Sequence, residues 1–182
     1  PDRSIRNLIL HPEGKKWVFR KPPQLWADIF FPTVHGSFGE DGTLQGLFEL
    51  ADVPYVGSNV LASAVGMDKS KMKDVFRAAG IPILDCITLS RHEFQSDDKT
   101  NLLRLENFCN YPLMVKPLRL GSSIGVKRCT NSEELRYAID VAFVLDINIL
   151  VERALETFTE VNCSVIGPPE QVFIKYPQFN KD

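Results

Sequence analysis

A chain of 182 residues, 44% hydrophobic and 24% charged, has ordinary globular composition, enough for one good core or parts of two. Its net charge of −2 leaves no basic footprint, which argues against a nucleic-acid partner. Its longest apolar run, Val141 to Val151, is broken by Asp146 and Asn148, and Pro1-Asp2-Arg3-Ser4 opens no apolar signal region, so neither a membrane span nor a leader is expected.

Along the chain, Trp26 to Val34 is almost wholly apolar, which predicts a strand buried on both faces of a parallel sheet. His35 to Gly42 follows as a glycine-rich loop, and Leu44, Leu47, Phe48 and Ala51 recur at helical spacing over Thr43 to Ala51. Strand, turn and helix make half of a βαβ unit. Pro54 to Ser58 reads as a short extended piece and a turn. A second helix opens at Asp68, a good N-cap, carries Met72, Val75, Phe76 and Ala79 on one face, and stops at Gly80 and Pro82. A strand is expected over Ile81 to Leu89, a polar loop over Arg91 to Lys99, and a helix over Thr100 to Cys109.

Strands are then expected at Leu113–Pro117 and Ile124–Arg128. Thr130 with Glu133 has the form of a capping box for a helix whose apolar face is Leu135, Ala138, Ile139 and Ala142. Asn148–Glu152 and Glu160–Ile166 read as further strands and Gly167 to Pro169 as a turn. The four cysteines, Cys86, Cys109, Cys129 and Cys163, form no C-x-x-C and fit small core residues of a reduced, cytoplasmic protein. A boundary is expected near Ser58 to Met67, and the chain reads as a piece of a larger protein at both ends.

The chemistry concentrates in Leu113-Met-Val-Lys-Pro-Leu-Arg-Leu-Gly-Ser-Ser-Ile-Gly125. An apolar strand delivers Lys116 just before a loop of glycine and serine, and the pattern then returns to a strand. Backbone N–H groups in such a loop can face anionic oxygens, serine hydroxyls add donors, and the lysine supplies a point charge. Gly121 to Gly125 spells neither the Rossmann G-x-G-x-x-G nor a Walker loop, so a flap over phosphates is a third solution.

Three motifs stand in one order: His35-Gly-Ser-Phe-Gly-Glu-Asp-Gly-Thr-Leu-Gln-Gly46, Met67-Asp-Lys69, and Val115-Lys-Pro followed by Gly121-Ser-Ser-Ile-Gly125. From Asp28 to Ile166 the chain resembles the D-alanine–D-alanine ligases of the ATP-grasp superfamily. The resemblance implies an α/β ATP-grasp fold with a partial N-terminal Rossmann-like domain. Residues 1–62 would be a partial substrate-side domain, 63–152 the small nucleotide-binding subdomain, and 153–182 the start of an incomplete second subdomain. It implies an ATP-dependent carboxylate–amine ligase that joins two D-alanines through an acyl phosphate for cell-wall peptidoglycan synthesis. Related ligases that add D-lactate or D-serine, and a nucleotide-binding module without catalysis, remain open alternatives.

The resemblance also assigns residues. Lys69 and Lys116 would contact ATP phosphates, with Ser122 and Ser123 in the covering flap and Ser122 also near the substrate. Glu152 would accept from the adenine amino group, Arg153, Ala154 and Leu155 would line the hinge, and Glu160 would hold the ribose. His35 would stand beside the first D-alanine, supported by Glu40, with Asp41 a weaker candidate. Magnesium is implied, with ligands expected downstream of residue 182, so no metal residue is assigned and the isolated chain is expected to be inactive. Lys175-Tyr176 faintly matches a closing-loop pair. A cytoplasmic homodimer is implied, with no membrane or nucleic-acid partner.

Overall fold

A computed structural model describes residues 28–165 and Gly167. Its centre is a four-stranded antiparallel sheet in the order β1-β4-β2-β3: Cys86–Ser90, Asn148–Arg153, Leu113–Pro117 and Lys127–Cys129. β4 runs down the middle, pairing Glu152 with Cys86 on one side and with Met114 on the other. Because strand side chains alternate, Ile149 and Val151 face one way while Leu150 and Glu152 face the other. The first face packs on α6 (Ser132–Leu145) through Leu135, Ala138, Ile139, Ala142 and Phe143, together with Leu113, Val115 and Leu89. Phe94 and Leu105 close the end of this core from α4 (Arg91–Ser96) and α5 (Asp98–Phe108). Towards the other face lies α3 (Lys69–Ala78), which contributes Lys69 and Lys73.

Before α3, α1 (Thr43–Leu50) and α2 (Val60–Met67) frame the His35 loop. The expected buried strand over Trp26–Val34 is not formed over its described part. Phe30 makes a single parallel bridge to Tyr55, and Phe31 and Val34 are exposed. An apolar run becomes a strand only where ladders are available on its flanks, and among the described residues Phe30 bonds only Pro54 and Val56. The polar loop expected at Arg91–Lys99 is instead α4 and the start of α5. Ser90 accepts from Glu93 N, Asp97 accepts from Thr100 N, and buried Phe94 anchors the segment. The helix across the expected boundary, α2, was hidden by its small residues; Asn59 caps it by accepting from Ala62 N, 2.9 Å away.

The α6 capping box sits one residue later than Thr130/Glu133. Asn131 accepts from Glu134 N, and the Glu134 carboxylate accepts from the Thr130 N–H and hydroxyl. α3 forms where Asp68 predicts it, yet the face of Val75 and Phe76 is open to solvent, and the helix turns its lysines inward. β1 starts only at Cys86, β3 only at Lys127, and Glu160–Val165 is irregular. All four cysteines are free; Cys129 is buried, its thiol pushed up to about 11 by burial, but Cys163 is exposed rather than a core residue. Ile166, the Pro168-Pro169 turn, Lys175 and Tyr176 lie outside the described residues. Among the described residues no helix is long and apolar enough to cross a membrane.

Candidate functional site

Two stretches far apart in sequence meet across a cleft of about 630 Å³. One wall is the glycine-rich loop with His35, Gly39, Glu40 and Gln45; the other is Lys69 with Leu120 and Gly121 of the flap. The loop folds on itself through side chains the motif supplies. Gly36 N donates to Glu40 Oε2 at 2.6 Å, Phe38 N and Thr43 N donate to Asp41, and Gln45 Nε2 donates to Gly39 O at 2.9 Å. Gly39 must be glycine for space, because a Cβ there would lie 2.5 Å from the Val34 carbonyl oxygen. Gln45 Oε1 is buried and receives no hydrogen bond among the described residues, leaving an acceptor at the cleft wall.

His35 is exposed, with Nδ1 3.8 Å from Glu40 Oε1, so the imidazole is free to meet a ligand while Glu40 is spent on the turn. Asp41 braces the loop: burial raises its pKa, but the Phe38 and Thr43 donors outweigh this and hold the carboxylate below its ordinary value. It serves the loop and not the cleft.

Lys69 ties α3 to the flap. Its ammonium donates to Pro117 O at 3.0 Å and to Leu118 O and Leu120 O, and its own N–H reaches Leu118 O. These carbonyls answer the conflict of a cation in the first turn of a helix. Burial, then the nearby Lys116 ammonium, lowers the Lys69 pKa. Two like charges therefore crowd the base of the flap, a state that an anion would relieve. Ser122 and Ser123 both stand in the left-handed region at φ 50° and 56°, exposed at the flap's tip. They make a tight turn, closed by the Ile124 N–H donating to Gly121 O at 3.1 Å, that leaves both serine side chains at the surface.

On the sheet face below, Glu152 is 5% exposed and held between two lysines. Lys116 Nζ bonds Oε1, and Lys73 Nζ lies 2.7 Å from Oε2. Burial pushes the Glu152 carboxyl up, but Lys116 and then Lys73 more than reverse this, leaving its pKa lowered. The Lys73 ammonium also donates to Leu84 O at 2.7 Å, so it bridges that carbonyl and Oε2. A buried, ionised carboxylate, which accepts and cannot donate, fits the amino group of a purine. Sequence reasoning missed Lys73, although its spacing four residues after Lys69 puts both ammonium groups on one side of α3.

Lys116 and Glu152 do not line the 630 Å³ cleft; they lie behind Lys69, whose charge feels both. Arg153 pairs with Leu113 at the end of β4, and Ala154 N is already given to Pro112 O at 2.9 Å, so that N–H is not open to a base. Leu155 and Glu160 follow as exposed residues away from any strand. Among the described residues no three His, Cys, Asp or Glu side chains gather as a metal site.

A four-stranded antiparallel sheet with a lysine-based flap and a strand-end glutamate defines a class of protein, the ATP-grasp fold. Family models for the D-Ala–D-Ala ligase N-terminus and C-terminus match residues 12–58 and 75–178. The chain belongs to the D-alanine–D-alanine ligase family. It is 44% identical to the D-alanine–D-alanine ligase of Heliobacterium modesticaldum over 94% of this chain and 45% of that one. For the Treponema denticola ligase the identity is 43%, over 94% and 47%. The chain thus spans less than half the length of these relatives. The solved D-alanine–D-alanine ligase of Coxiella burnetii superposes with a TM-score of 0.67 at 40% identity, over 74% of this chain and 40% of that one. The VanG D-Ala:D-Ser ligase of Enterococcus faecalis gives 0.67 at 38%, over 75% and 39%.

Proposed function

We propose that these residues carry much of the ATP site of a cytoplasmic, homodimeric D-alanine–D-alanine ligase that feeds peptidoglycan synthesis. The observation that carries this reading is the cleft in which the His35 loop faces Lys69 and the flap residue Gly121. ATP, used with magnesium, supplies a phosphoryl group to the carboxylate of one D-alanine, and the amine of a second displaces phosphate from the resulting acyl phosphate. The chain's own residues solve the charge problem of bringing a carboxylate to a polyphosphate. Lys69 and Lys116 offset the negative charge, the 121–125 flap covers the phosphates with N–H groups and the Ser122 and Ser123 hydroxyls, and Glu152 orients the base. Leu155 and Arg153 line the hinge beside Ala154, with Glu160 at the ribose. His35, braced by the Glu40 loop, stands where the first D-alanine carboxylate would lie.

In domain terms we assign 1–62 to the substrate side, 63–152 to the small nucleotide-binding subdomain and 153–182 to the beginning of the next. ATP bearing a photoreactive azidoanilide on its γ-phosphate should label the peptide that contains Gly121 to Gly125, and excess ATP should protect it. Labelling confined to any other part of the chain would defeat the assignment. Similarity to a D-Ala:D-Ser ligase at the same TM-score supports a second reading, in which the second amino acid is D-serine. Phosphate release by the full-length protein with D-alanine alone, compared with D-alanine plus D-serine, separates the two.

A further inference from the structure

Lys116 has two partners to serve. In this structure it is bonded to Glu152 Oε1, yet it sits at the strand end that leads into the phosphate flap. An arriving triphosphate would draw that ammonium away from Glu152 or share it. Glu152, 5% exposed in the centre of the sheet, cannot fall back on water. Lys73 is the counter-ion that stays: its side chain is 12% exposed, anchored to Leu84 O, and 2.7 Å from Oε2.

We infer that Lys73 is a positioning residue that keeps Glu152 a fixed, negatively charged acceptor, and so lets it choose a 6-amino purine over a 6-oxo purine. The inference rests on the nucleotide reading above. A carboxylate accepts and cannot donate, so it bonds the adenine amino group and repels the oxygen of hypoxanthine or guanine. Without Lys73, the carboxyl can take a proton once Lys116 turns to the phosphates, and a protonated carboxyl can donate to a 6-oxo group. The other charged or titratable groups around Glu152 do not replace Lys73. Lys69 is committed to the flap carbonyls, and the Cys86 thiol opposite Glu152 has its pKa raised by burial and stays neutral.

The test compares binding of ATP and inosine triphosphate by calorimetric titration, with the 182-residue chain and its Lys73→Met and Lys73→Arg variants. Wild type is expected to prefer ATP by roughly ten- to hundredfold, the worth of one hydrogen bond to a charged group. Lys73→Met should bring the two nucleotides to within about threefold, and Lys73→Arg should restore the preference, a pattern that a merely structural lysine would not give. If Lys73→Met does not fold, Lys73→Gln carries the same comparison. Retention of the wild-type ratio in either uncharged variant overturns the inference while leaving the ATP site intact. Absence of any preference in wild type also overturns it. Failure of wild type to bind either nucleotide overturns the underlying nucleotide reading instead.

Discussion

At the scale of single residues, the flap's left-handed positions are of two opposite characters. Gly125, at φ 73°, has no room for a side chain: a Cβ would lie 2.4 Å from Leu145 Cδ1 and 2.8 Å from Pro117 Cγ. Gly125→Ala should therefore destabilise the chain by about 2–3 kcal/mol in denaturant titration, from overpacking added to backbone strain. Trimming Leu145→Ala in the same chain should recover part of that loss. Ser123 has the unfavourable φ without the crowding, because it is exposed. Ser123→Gly should then raise stability by about 0.5–1 kcal/mol, since it removes a left-handed penalty that serine bears. A fall in stability on Ser123→Gly would mean that the hydroxyl supports the unliganded flap. The sequence could place both residues in a phosphate-type loop by composition alone. It could not say which one is held by packing, because that depends on Leu145, twenty residues away along α6.

At the scale of elements, the flap's entry is fastened by one carboxylate at the end of α6. Asp146 accepts from Arg119 N at 2.9 Å, from the Arg119 guanidinium at 2.7 Å and from Asn148 N at 3.1 Å. Burial alone would raise its pKa, but the Arg119 and Asn148 donors prevail and lower it. A carboxyl whose native pKa is depressed contributes stability above its unfolded value, near 3.9, and loses it as pH falls through the lower native value. Asp146→Asn is expected to cost about 1–2 kcal/mol at pH 7, a figure reduced because the Arg119 side chain is 46% exposed. The gap in melting temperature between variant and wild type should close as pH is taken from 7 to 3. A gap independent of pH would mean that charge has no part in the clasp. The helices and strands were legible where local signals were strong: Asp68 before α3, the apolar face of α6, and the Val115-Lys-Pro strand. They were illegible where tertiary context decided, as in α4, whose one buried anchor, Phe94, looks like a stray aromatic in a polar stretch. For the same reason the inward turn of α3 could not be read, because an apolar stripe and two inward-turned lysines compete for one helix, and the flap carbonyls and the sheet's Glu152 decide between them.

At the scale of the whole molecule, packing is uneven, and that bears on how a nucleotide would be felt. Every residue of the main apolar cluster lies between Leu89 and Val151. The segment from Asp28 to Met67 has instead a small aromatic stack, Phe30 on Phe48 at 5.1 Å and Phe48 on Tyr55 at 5.4 Å, with one β-bridge. The candidate site was legible in the sequence as three motifs in order, but not as one place. Only the fold shows that the His35 loop and Lys69 share a cleft while Glu152 and Lys116 sit behind it. Local opening follows local packing, so amide exchange should be slowest in β2, β4 and α6 and faster throughout residues 28–58. Lys69 is the joint between these regions, since its ammonium and its N–H both hold the flap's entry. ATP should then slow exchange most at 118–126 and in the first turn of α3, with little change in α6, which is already protected by its core. Exchange mass spectrometry with and without ATP would read this directly. Equal slowing everywhere would point to global stabilisation by a ligand bound elsewhere, and slowing confined to residues 28–58 would move the phosphate site off the flap.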